Sequence, residues 1–127
     1  MKKIAFLVAA AGLASTPALA DVAAQLSVAQ THAGLAAKAA DLKMVQMHLH
    51  HAVNCLVGPA GTGFDAAAGN PCAKAGTGAI PESTDAAQKA KLQAAVTTAT
   101  PGLAASADLA TAQKAALATA DAVGAAK

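Results

Sequence analysis

A chain of 127 residues is long enough for one domain of ordinary size. Its formal charge of +2 comes from Lys2 and Lys3: from Asp21 onward seven Lys face six Asp and one Glu, and the net charge is zero. With no Arg, no Trp, no Tyr and only Phe6 and Phe64 as aromatics, the chain lacks the phosphate forks and stacking platforms of a nucleic-acid binder, and that class is excluded.

The first element in chain order is an export signal. Met1-Lys2-Lys3 is basic, Ile4 to Ala14 is an apolar run, and Ser15-Thr16-Pro17 leads into the small-residue end Ala18-Leu19-Ala20. That layout predicts a secretory leader over residues 1–20, cleaved after Ala20. Its apolar run is shorter than the ~20 residues a membrane span needs, so no span is expected after cleavage. Residues 21–127 are then expected to work as one domain in the periplasm, or secreted.

Ala supplies 34 of the 107 residues from Asp21 onward. It is the best helix former and buries little area, so strong local propensity comes with a thin core. No alternating strand pattern occurs, and the predicted class is all-α. From Val22 to about Val57 there is no Pro and only Gly34. Val28, Leu35, Leu42, Leu49 and Leu56 recur every seventh residue, which predicts one continuous helix. Gly58-Pro59 ends it. Residues 58–83 carry six Gly and three Pro and are expected to form a loop.

Helix resumes near Thr84 or Asp85 and runs to about residue 124. The apolar row Leu92, Val96, Leu103, Ala110 and Leu117 crosses Pro101, so a kink or a break is expected near residues 100–102. The resulting architecture is a long antiparallel helical hairpin, or a three-helix bundle if the chain breaks at Thr100-Pro101. A hairpin this poor in large side chains would gain from pairing as a homodimer.

Cys55 and Cys72 are the only cysteines. An even count in an exported chain predicts a disulfide, which would pin the Gly/Pro-rich loop onto the end of the first helical stretch. In the reduced state Cys55 would instead offer a thiolate ligand.

The densest chemistry is Met44-Val45-Gln46-Met47-His48-Leu49-His50-His51. At 100° per residue Met44, His48, His51 and Cys55 share one helix face with Met47 on its flank, while His50 projects elsewhere. The face points away from the leucine stripe and toward the loop, which predicts a site between helix and loop. Imidazole and thioether together suit copper, with His48, His51, Met44 and Met47 as the metal ligands. His32 reads as a residue flanking the helix seam. Zinc through imidazole, or noncovalent haem on an axial His or Met, come after copper; covalent haem would need a C-x-x-C-H run that is not present. Glu82 has no carboxylate partner for acid–base work, and no nucleophile elbow or phosphate loop occurs, so no enzyme is expected. The expected function is that of a small exported copper buffer or carrier. The alternative is a non-catalytic structural or interaction module of the cell envelope.

Overall fold

The computed structural model of the protein describes residues 20–127. The expected leader lies, apart from Ala20, outside the described residues. These form five helices and no strands: α1 (Val22–Lys38), α2 (Leu42–Val57), the short α3 (Ala79–Glu82), α4 (Ala86–Ala104) and α5 (Leu109–Gly124). None is long and apolar enough to cross a membrane.

The four long helices pack in the ring order α1, α2, α4, α5, with α2 and α5 also meeting across the middle. Their directions follow from side-chain reach. Near the start of α5, Gln113 Nε2 donates to the Ala39 carbonyl just beyond α1, whereas Gln30 Nε2 reaches the Ala120 carbonyl late in α5. Gln46, early in α2, reaches the carbonyls that end α4. Neighbours are therefore antiparallel, in the up-down-up-down bundle that short connections favour.

The single helix expected over residues 22–57 is two helices. Ala39 takes an extended conformation and Asp41 caps α2, its Oδ1 accepting from Met44 N at 2.9 Å. Ala39 and Ala40 are good helix formers, so propensity does not cause this turn. Folding back lets the Ala-rich face of α1 bury against the apolar face of α2, and the Asp41 carboxylate satisfies an amide at the new start. The break comes where a capper is available.

The second stretch also folds back, but not at Pro101. Helix α4 runs through that residue, and the turn lies at residues 105–108, where Asp108 Oδ1 accepts from Thr111 N at 3.0 Å. Pro101 has no N–H to give, yet the last turn of α4 is held from outside. Gln46 Nε2 donates to the carbonyls of Leu103 at 3.1 Å and Ala105 at 2.7 Å. Gly102 sits where a Cβ would come within 2.6 Å of Leu49 Cδ1 and 3.1 Å of Ala115 Cβ. Gly102 thus lies at a close approach of α4 to α2 and α5. One chain supplies all four long helices.

The core uses alanine where larger residues were expected. The buried row of α1 is Leu26, Ala29, Ala33 and Ala36, while Leu35 is 46% exposed. On α5 the buried row is Ala112, Ala116, Ala120 and Val123, and Leu117 is 56% exposed. Ala33, Ala52 and Ala120 form one cluster where α1, α2 and α5 meet. Small side chains let backbones come close, and the gain comes from dense contact more than from the area of each residue. Leu49, Leu56 and Leu92 fill the wider layers.

Residues 58–78 cross the open end of the bundle as turns. Gly58 has φ +71, and a Cβ there would overlap the Thr77 carbonyl, so the two ends of the loop touch at a position only Gly fits. Buried Gln25 ties the far end to α1: its Oε1 accepts from Gly78 N at 2.8 Å, and its Nε2 donates to Glu82 Oε2 at 2.5 Å. Cys55 and Cys72 are bonded, with Cα atoms 5.2 Å apart and both side chains buried. The expected disulfide is present, and Cys55 is therefore not a thiolate ligand.

Candidate metal centre

Folding α2 back along α1 places His32 beside His48, because the two lie eight residues either side of Ala40. Their Nδ1 atoms are 3.1 Å apart. His51, one turn beyond His48 on α2, completes the group. Ring centroids are 4.7 Å apart for His32 and His51, 5.3 Å for His32 and His48, and 5.9 Å for His48 and His51. One nitrogen from each ring lies within 4.8 Å of the others, so the three imidazoles can hold a metal ion between them. Ligand nitrogens at the ~2.0–2.1 Å typical of zinc stand about 3.3 Å apart in a tetrahedron, so a sub-ångström inward movement of the rings is enough.

Hydrogen bonding settles the donor atom of His51. Its Nε2 lies 2.7 Å from the Ala68 carbonyl oxygen, which can only accept, so Nε2 carries the proton. The neutral ring then has its lone pair on Nδ1, and that atom is buried without a hydrogen-bond partner. A ligating histidine commonly has this arrangement: the far nitrogen donates to a backbone carbonyl and the near one is left for the ion. In the His32–His48 pair one neutral Nδ1 can donate to the other, and an ion would replace that shared proton.

Electrostatics favour the uncharged form of His32 and of His48. Burial lowers the pKa of His32 below the ordinary 6.5, and repulsion by His51 and then His48 adds to it. His48 is lowered by burial first and by His51 second. Among the described residues no carboxylate joins the cluster. Neutral imidazole is the form that binds metal.

A pH dependence of stability follows. Both histidines bind protons less readily folded than unfolded, so the unfolded chain takes up more protons as pH falls below 6.5. Their contribution is fully present above the unfolded value and is lost as pH falls through the lowered folded values. Thermal unfolding of metal-free protein is expected to show Tm dropping between pH 7.5 and pH 5, with a shallower drop in His32→Ala. Equal slopes in the two proteins would rule this contribution out.

The other residues singled out in the sequence fall as follows. His48 and His51 are in the cluster, and His32, expected only to flank the seam, is its third member. Met44 is 37% exposed and Met47 half-buried, each one helical turn before His48 and His51 respectively. His50 points elsewhere, as expected, with Nδ1 3.5 Å from Asp65 Oδ2. The loop does cover part of the helix face, through Ala68. A cavity of about 360 Å³ is lined by Val57, Thr62, Ile80, Lys89 and Gln93 among others, and includes no histidine. The histidines sit in the groove between α1 and α2.

Comparison with protein-family profiles, with curated proteins and with solved structures finds no match for this chain. The functional reading accordingly rests on the residues and their geometry.

Proposed function

We propose that the protein binds one copper ion through His32, His48 and His51, and serves outside the cytoplasm as a copper buffer or carrier. The observation that carries this reading is a buried, unpartnered Nδ1 on His51 in a group of three imidazoles that each bring one nitrogen within 4.8 Å of the others. Three imidazole nitrogens form a borderline donor set, and among divalent first-row ions such a set holds Cu²⁺ most tightly. Met44 and Met47, one turn away on the same helix, supply soft thioethers within the same helical neighbourhood for Cu⁺. All three histidines are half-buried, so an ion there can be exchanged with a partner. Export is supported by the leader-like start and by a disulfide, which persists in oxidising compartments.

Haem fits this geometry poorly. Two axial ligands must lie on opposite sides of the porphyrin, and two Nδ1 atoms at 3.1 Å leave no room for one between His32 and His48. The reading is tested by titrating the oxidised protein with Cu(I), Cu(II), Zn(II) and haemin against competing chelators. One saturable equivalent of copper, held more tightly than zinc and with no Soret shift from haemin, is the expected result. Absence of saturable metal binding would leave the structural or interaction module as the better account.

A further inference from the structure

The donor atom of His51 is chosen by the Ala68 carbonyl, and that carbonyl is presented by a built turn. Asp65 Oδ1 accepts from Ala67 N at 2.9 Å and from Ala68 N at 3.3 Å, closing the turn on itself. Gly69 takes φ +86 and donates its N–H to the Ala66 carbonyl at 3.2 Å. Asn54 holds both ends of the turn. Its Nδ2 donates to the carbonyls of Asp65 and Gly69, each at 2.7 Å, and its Oδ1 accepts from Asp65 N at 2.8 Å.

Asn54 has no exposed surface, and both its amide protons and its oxygen are engaged by this one turn. Asn54 and His51 are three residues apart on α2, so their side chains share a face and meet the same segment. The amide supplies what packing alone does not, a fixed position for the backbone carbonyl opposite His51.

We infer that Asn54 is a positioning residue: by clamping residues 65–69 it holds the Ala68 carbonyl against His51 Nε2, fixing the Nε2–H tautomer and turning the Nδ1 lone pair toward His32 and His48. The inference deepens the metal-site reading, and its last step, the effect on the ion, rests on that reading. A backbone carbonyl in this role fixes the tautomer and the orientation of the ring.

The test reads the imidazole directly in metal-free protein. By ¹⁵N and proton NMR above pH 7.5, wild-type His51 is expected to show an unprotonated Nδ1 and an Nε2–H proton protected from solvent exchange. Asn54→Ala is expected to lose that protection and to bind Cu(II) 10- to 100-fold more weakly, the range for lost outer-shell support of a ligand. Because Asn54 is buried and its replacement can unfold the protein, Gly69→Ala serves as a second variant. A Cβ there meets nothing within 4 Å and disturbs the turn only through its positive φ. It is expected to weaken the Nε2–H protection in the same direction.

The inference is overturned if wild-type His51 carries its proton on Nδ1. It is equally overturned if folded variants keep a protected Nε2–H and wild-type copper affinity. A wild-type chain that shows the protected proton but takes up no copper removes the metal reading and leaves the clamp standing.

Discussion

Replacing His32 by Ala is expected to weaken Cu(II) binding by at least about 100-fold, beyond the 10- to 100-fold that loss of outer-shell support brings. His48→Ala and His51→Ala should each have an effect of the same order, and His50→Ala little. The contrast is informative because these residues are close in sequence and divide by geometry. His32, His48 and His51 direct nitrogens to one position from two helices, whereas His50 lies toward Asp65. If affinity came only from a local run of histidines on one helix, His50→Ala would matter as much as His48→Ala, and His32→Ala would be silent. Equilibrium competition with a chelator of known copper affinity separates the two patterns. Truncating His32 leaves a small gap at a half-buried position, so all four variants should keep wild-type helicity.

The second large effect is on stability. Cys55 and Cys72 close a separation of 17 residues, and removing the bond should cost about 3 kcal/mol by the chain-entropy estimate. In a domain of this size that is a fall in Tm of roughly 15 °C. The effect is large for this protein because much of its core is alanine, and alanine truncation of contacts leaves little reserve. The pair Cys55→Ser/Cys72→Ser removes the cross-link but places hydroxyls in a buried site, so Cys55→Ala/Cys72→Ala is the better variant. Calorimetry or thermal circular dichroism of that variant against the oxidised protein measures the loss. A change in Tm of less than about 4 °C would show that the loop is held by Gln25, Asn54 and Gly58 without the cross-link.

How much of this was legible in the sequence depends on which physical signal carried each feature. The helical class followed from alanine content and the absence of alternation, and the disulfide from an even cysteine count. The candidate ligands His48 and His51 followed from helical spacing alone. Both predicted long helices, however, proved to be pairs. The misleading signal was the seven-residue leucine row, since Leu35 and Leu117 are exposed while Ala29, Ala33, Ala36 and Ala116 are buried. In a chain this rich in Ala, residue size does not mark the core; helices seek the faces that let backbones approach. The capping carboxylates were the better guide. Asp21, Asp41, Asp85 and Asp108 each stand at the start of a long helix and accept from its first amides. Reading Asp41 as a cap would have folded α2 back on α1 and brought His32 opposite His48.

Pro101 does not break its helix, because Gln46, 55 residues earlier, holds the carbonyls that follow it. That contact is tertiary and has no local signature. The role of Ala68 was hidden in the same way, because a backbone carbonyl carries no residue type.

The claim beneath the functional account is that three imidazoles from two helices meet at one ion. Pulsed electron paramagnetic resonance of the protein loaded with one equivalent of Cu(II) tests it most directly, because remote imidazole nitrogens modulate the echo in proportion to the number coordinated. The account predicts modulation from three imidazoles, falling to two in His32→Ala. A spectrum with a single imidazole, or one unchanged by loss of His32, would contradict it.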